Sequence, residues 1–335
     1  MTKVSFIIPV LNAQEVLESC LKSIKKQNFK NYEILIIDGG SIDKTISIAK
    51  KYHSKIYKNP LKTAEAGKAI GVKHAQGQYI CLIDSDNILP SNNWLKQMLL
   101  PFTDKQIIGS EPISFTYRKN SGFIERYSSL IGANDPYTFV TGVYDRKNFI
   151  NNQWTDLKID QIDQYKYIKI KLLPRTSIPT IGANGTIFKS DFLKKNLSSD
   201  YLFDIDIISQ VLNQTKKPIF FAKVKTSIIH TFCESSIKKF IRKQNRRLSD
   251  YFYFKNLRQY NWDQTNRFGL LKFIFYTLLI IPMFIDVSIG FIKKSDFAWF
   301  FHPIACWITL IVYSMVYLKF KLGCLKAVNR TSWKQ

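Results

Sequence analysis

Two pairs of carboxylates, each split by one residue, are the stretches best equipped for chemistry: Asp84-Ser85-Asp86 and Asp204-Ile205-Asp206. The first follows Ile80-Cys81-Leu82-Ile83, an apolar run that reads as a strand buried on both faces. Side chains two residues apart leave the same side of an extended chain. Two hard oxygen ligands at the end of a buried strand suit a Mg2+ or Mn2+ ion that also holds a phosphate. The second pair opens a helix expected over 206–213, where a carboxylate is also favoured simply as a cap at the positive helix end.

The elements that must position these groups begin with Val4-Ser5-Phe6-Ile7-Ile8-Pro9-Val10, a β-branched strand. Asn12, with Glu15 three residues on, forms the pattern of a capping box. Val16, Leu17, Cys20, Leu21 and Ile24 then recur at helical spacing and predict a helix over 13–26. A second buried strand, 32–37, ends at Asp38-Gly39-Gly40-Ser41, and Asp43-Lys44-Thr45 opens a helix to about Tyr52. A short strand at 55–57 and a helix over 64–75, carrying Lys68, lead into the first carboxylate pair. Strand–helix alternation with short loops implies a parallel sheet wrapped by helices. Ligands of such sheets sit beyond the carboxyl ends of the strands, where Pro9 to Asn12, Asp38 and Asp84/Asp86 all fall.

The net charge of +24 points to a polyanionic partner: nucleic acid, a phosphorylated substrate or an anionic membrane. Five cysteines without a C-x-x-C spacing read as free core thiols of a reducing compartment, with no zinc site. The N-terminus runs straight into the first strand, so no cleavable signal is expected. Between Lys238 and Lys272 ten Lys or Arg face only Asp250 and Asp263, and Ile237, Phe240, Ile241, Leu248, Tyr251 and Phe252 keep helical spacing, giving an amphipathic helix with a cationic face. Two apolar stretches follow, 273–292 with Asp286 and a kink at Pro282, and 297–318, each long enough to span a bilayer of about 30 Å. Basic flanks place both ends on the cytoplasmic side, with a re-entrant hairpin as the alternative because Lys293 and Lys294 lie in the connecting loop. The charge therefore gathers beside apolar spans, which membrane lipid explains better than nucleic acid.

Ser5-Phe6-Ile7-Ile8-Pro9-Val10-Leu11-Asn12, Ile36-Ile37-Asp38-Gly39-Gly40-Ser41-Ile42-Asp43-Lys44-Thr45 and Ile83-Asp84-Ser85-Asp86-Asn87, in that order, resemble the motifs of a family 2 glycosyltransferase. The resemblance covers roughly the first 110 residues. It implies an α/β fold of the GT-A type with a mixed, mostly parallel sheet, here followed by the basic helix and two C-terminal transmembrane helices. Its expected parts are a nucleotide-sugar half over 1–110, an acceptor half over 111–235, an interfacial segment over 236–269 and a membrane hairpin with a basic tail over 270–335.

The resemblance also implies roles. Pro9, Leu11, Asn12, Glu15, Asp38, Lys68, Asp84, Ser85, Arg246 and Arg247 would contact a UDP- or GDP-sugar, and Asp84, Asp86 and His230 a divalent Mn2+ or Mg2+. Read without it, Asp38 is a turn residue, Lys68 a solvated helix lysine and His230 a structural histidine. Gly182, Asn184 and Gly185 would lie against the acceptor. The family's carboxylate base falls at Asp204 or Asp206, although Phe203 stands where a Glu is usual, and the Gln-x-x-Arg-Trp form of the basic motif is absent. The implied activity is inverting glycosyl transfer to a hydroxyl of a lipid-linked or cell-envelope glycan, at the cytoplasmic face of the plasma or inner membrane. An inactive nucleotide-binding scaffold is the rival. A sugar-phosphate nucleotidyltransferase is disfavoured because no Gly-rich basic loop follows the first strand.

Overall fold

The computed structural model describes residues 3–174, 176–182, 184–260 and 268–327. A continuous sheet carries the fold: β1 (Val4–Val10), β2 (Tyr32–Asp38), β3 (Lys55–Lys58), β4 (Tyr79–Leu82), β5 (Asn87–Ile88), β6 (Ile107–Phe115), β7 (Asp160–Asp163), β8 (Tyr167–Leu172), β9 (Thr186–Lys189) and β10 (Ile219–His230). Their spatial order is β3-β2-β1-β4-β9-β6-β10-β8-β7, with β5 paired to β10 off this path. β1 to β4 are mutually parallel, whereas β9 runs against both β4 and β6, and β8 runs against β10 and β7. The sheet is thus mixed: wholly parallel from β3 to β4 and of both senses beyond, where β10 still runs parallel to β6.

Order 3-2-1-4 reverses between β1 and β4, which opens a crevice between their carboxyl ends. Both sheet faces are covered. Phe6, Ile8, Ile34 and Ile36 enter one core with Leu17, Cys20 and Ile24, while Ile7, Leu35 and Ile37 enter the other with Ala69 and Val72. That alternation is why β1 and β2 read as unbroken apolar runs. Helix Ala64–His74 lies close on β1, since a Cβ on Gly71 would come within 2.3 Å of Ile7 Cγ2. Any larger residue there would push the helix, and Lys68 with it, off the sheet.

Several local expectations differ. The first helix starts only at Leu17, capped by no side chain, because Asn12 accepts the Ile42 N–H (2.9 Å) and its own N–H goes to Ser41 Oγ (2.9 Å). Asn12 and Glu15 therefore form no capping box; Asn12 instead ties the loop after β1 to the loop after β2. Residues 111–175, which show no clean periodicity, contain the rest of β6, helices Phe123–Ile131 and Pro136–Thr141, and the β7–β8 hairpin. Four cysteines are buried, but Cys324 is exposed. The cationic helix runs Ile237–Tyr253, and 261–267 of that segment lie outside the described residues, as do Arg330 and Lys334 of the tail.

The stretch expected to form one span over 273–292 is two helices, Gly269–Leu279 and Ile281–Lys293, bent by 84° at Ile280. Pro282 sits in the first turn of the second helix, where its missing N–H costs nothing, and Ile280 takes φ 63°. The following helical stretch, Phe297–Lys321, is long and apolar enough to cross a membrane. These C-terminal helices share a third core with 123–144: Tyr127, Leu130 and Phe139 pack with Phe273, Trp299 and Phe301.

Candidate active site

The first carboxylate pair does not lie on extended chain. β4 ends at Leu82, and Asp84 to Asn87 form a turn in which Asn87 N–H donates to Asp84 O (3.0 Å) and Asp84 N–H to Asn87 Oδ1 (3.1 Å). The two side chains consequently go to different partners. Asp84 Oδ1 is 3.2 Å from Lys68 Nζ, and Asp86 Oδ2 is 3.4 Å from His230 Nε2 and 3.3 Å from Lys243 Nζ. Ser85 is buried between them. β10 delivers the histidine: His230 is opposite Asn87 in the β5–β10 pairing, and Thr231 N–H bonds Asp86 O (3.0 Å). Burial works to protonate Asp86, but His230 and Lys243 outweigh it and hold the carboxyl well below its ordinary range.

Lys68 is not a solvated helix lysine. It is 5% exposed, and its ammonium bridges Asp84 and Asp204. Burial disfavours its charge, yet the two carboxylates more than compensate and raise its pKa above the ordinary lysine value. Asp204 is the inverse case. Burial pushes its carboxyl up to about 6 against the pull of Lys68, with Asp84 adding to the rise. One oxygen, Oδ1, is buried without a hydrogen-bond partner. The Asp204 backbone is held by Gly182, at φ +135°, where a Cβ would lie 2.2 Å from Asp204 O.

Asp206 is committed elsewhere. Arg258 grips it with two bonds of 2.8 and 2.7 Å, and Gln259 N–H adds a third of 2.7 Å. Asp204 and Arg258 line a cavity of about 260 Å3, together with Glu65, Asn134, Asp145 and Asn184. Arg246 and Arg247 also line it, although Arg247 is paired with Asp135 (2.9 Å). Asn184, at φ 56°, accepts from Asn87 Nδ2 (3.1 Å), and Gly185 N–H donates to Leu82 O (2.9 Å). This loop thus joins the two carboxylate regions.

Pro9, Leu11, Asn12 and Asp38 gather instead at the ends of β1 and β2, apart from this cavity lining, and Glu15 is exposed. Both Asp38 oxygens accept the Ser41 N–H (3.0 and 3.2 Å), as a turn residue does. Lys243, Arg258 and a buried group of Glu111, Asp145, Arg146 and Lys223 escaped the sequence reading. Glu111 takes Lys223 at 2.6 Å and Arg146 at 2.9 Å, and all three are almost fully enclosed. Lys243 stands in the basic run already noted; nothing local marks Glu111 or Arg258, because each finds its partner across long sequence separations.

The model of glycosyl transferase family 2 matches residues 5–195, and the chain belongs to that family. Among curated relatives it is 28% identical over 137 residues to Glycosyltransferase AglE of Haloferax volcanii, covering 38% of this chain and 44% of that one. It is 40% identical over 202 residues to an uncharacterized glycosyltransferase of Rickettsia conorii, covering 59% of this chain and 28% of the relative. The chain thus spans less than half the length of these relatives. Among solved structures, the mannosyltransferase PcManGT from Pyrobaculum calidifontis, in complex with GDP-Man and Mn2+, superposes with a TM-score of 0.55 at 10% identity, covering 96% of this chain and 87% of that one. The fold is the GT-A type.

Proposed function

We propose that the protein is an inverting glycosyltransferase that moves a sugar from a nucleotide-sugar donor to an acceptor hydroxyl on a lipid-linked or cell-envelope glycan. The observation that carries the reading is the Asp204 carboxylate. It is buried at a cavity wall with one oxygen unpartnered, and its pKa near 6 suits a base working close to neutrality. Asp204 takes the proton of the attacking hydroxyl; Asp206, held by Arg258, orients the start of the helix instead. Lys68, now shared by Asp84 and Asp204, turns to the donor diphosphate, which exposes the base only once donor is in place. Arg246, and Arg247 if it leaves Asp135, add positive charge on the same side. Pro9, Leu11 and Asp38 frame the nucleoside, and Gly182, Asn184 and Gly185 the acceptor.

Asp86 and His230, with Asp84, would hold a Mn2+ or Mg2+ ion. The donor set fits in kind: the Asp86 carboxylate faces the Nε2 of the His230 imidazole, with Lys243 as the cation now balancing Asp86. Among the described residues no three His, Cys, Asp or Glu are gathered to hold a metal by themselves, so phosphate oxygens of the donor would have to complete the set. Such an ion supplies charge to stabilise the leaving nucleotide.

The test is donor binding and turnover by the detergent-purified protein against UDP- and GDP-sugars, with and without Mn2+. Metal-dependent binding of one donor, with turnover lost in Asp204→Asn but binding kept, supports the proposal. Binding without turnover under any acceptor leaves the inactive scaffold, and no binding overturns both.

A further inference from the structure

We infer that the apolar C-terminal helices dock in the plane of one leaflet of an anionic bilayer and do not cross it. This bears on the lipid-linked acceptor of the proposed function but does not depend on glycosyl transfer. A chain that crosses twice must place the loop between its spans on the far side, away from the catalytic domain. Here that loop is bound to the domain. Asp296 accepts from Arg126 (2.9 Å) and Tyr117 (2.5 Å), the Lys294 ammonium sits 4.7 Å from the Tyr117 ring, and Lys293 donates to Ile150 O.

The other ends are held as well. Helix Gly269–Leu279 begins against the same domain, with Phe273 packed edge-on to Tyr137. Helix Phe301–Lys321 is fixed along its length: His302 bonds Tyr127 (2.8 Å), Tyr313 bonds Asp135 at the cavity wall, and Phe320 stacks on Phe252 (4.4 Å). A single crossing by this helix would carry the Asp135–Arg247 ion pair to bilayer depth, where charged groups are costly. The two preceding helices, of 11 and 13 residues, are about 16 and 20 Å long at ~1.5 Å per residue, too short for a ~30 Å core.

What the domain leaves uncovered is one apolar face. Ala305, Thr309, Val312 and Val316 of the last helix are buried, while Ile304, Ile311, Met315 and Leu318, displaced around the same helix, are 49–59% exposed. Phe275 and Phe284 extend the face onto the bent pair, each more than half exposed. Exposed Lys272, Lys293, Lys319, Lys321 and Lys326 accompany it. A broad apolar face with cationic companions matches the headgroup–acyl boundary of an anionic leaflet. Because Tyr313 joins this helix to Asp135, docking also sets the cavity wall beside the membrane, within reach of a lipid-bound acceptor.

The full chain, purified in detergent and transferred to preformed phosphatidylglycerol–phosphatidylcholine vesicles, tests this by thiol sidedness. Cys324 is the exposed native cysteine; Ser295→Cys reports the loop and Lys50→Cys the catalytic domain, both exposed positions. In-plane docking requires that all three react with a membrane-impermeant maleimide on the outside, with no gain on adding detergent. Ser295→Cys protected until detergent is added would establish two crossings, and Cys324 alone protected one crossing; either overturns the inference. Ile311→Glu with Leu318→Glu should lower vesicle partition at least tenfold with the circular dichroism spectrum unchanged. Unchanged partition, or a chain that stays off the vesicles and instead forms a dimer through this face, also overturns it.

Discussion

The two Asp-x-Asp stretches share a spacing and part company in their partners. At 84–86 the chain is a turn, and at 204–206 it enters a helix, so neither keeps both carboxylates on one side of an extended strand. In each pair one member meets Lys68 and the other meets a cation from the basic C-terminal segment: Asp86 with Lys243, Asp206 with Arg258. The quality of the second contact separates them. Asp206 is 5% exposed and holds three bonds of 2.7–2.8 Å, whereas Asp86 is 17% exposed with Lys243 at 3.3 Å and His230 at 3.4 Å. A loosely held carboxylate can exchange its partner for a metal ion; a bidentate buried pair cannot do so without loss of structure. Spacing nominates residues, and partner geometry assigns their work.

The largest effect is expected at Asp204. Asp204→Asn should lower turnover about 10²–10⁴-fold with donor affinity retained, measured by single-turnover assay beside calorimetry; a variant within a few-fold of the parent would remove Asp204 as the base. Asp206→Ala should act on stability instead, costing about 3–5 kcal/mol by stranding Arg258 in a buried site, seen in denaturant unfolding. If it unfolds like the parent, the structural role fails. Asp86→Ala should weaken Mn2+ binding about tenfold or more without shifting the thermal midpoint downward, a contrast with Asp206 that a side-by-side titration and melt would expose. The pH profile sharpens it further. Asp204 is raised to about 6 by burial, so it is protonated below that pH, and kcat/KM should climb about tenfold per unit below pH 6 and level above it. That limb should vanish from the residual rate of Asp204→Asn.

Legibility followed the range of the interactions. β1 to β4, their helices and the placing of Asp38, Asp84 and Asp86 at strand ends were readable because apolar periodicity and turn residues act within a few positions. The Asn12 cap failed because a bond to Ile42, thirty residues on, won over the local alternative. Lys68 misled in the same way: a lysine on a helix reads as solvated, and only Asp204, 136 residues away, makes it a buried cation. Asp204 and Asp206 could not be told apart without Arg258. The kink at Pro282 was foreseen, but an 84° break in place of a bent span was not, since hydropathy counts residues and does not see what the helices lean on.

The sequence alone determined the parallel βα core, the family motifs and the presence of long apolar segments beside a cationic stretch, all properties of local pattern and composition. The tertiary structure decided which carboxylate keeps an unpartnered oxygen, which lysine is buried and what the apolar helices pack against. Those outcomes depend on desolvation and on charges brought together from distant parts of the chain, and no local pattern encodes either.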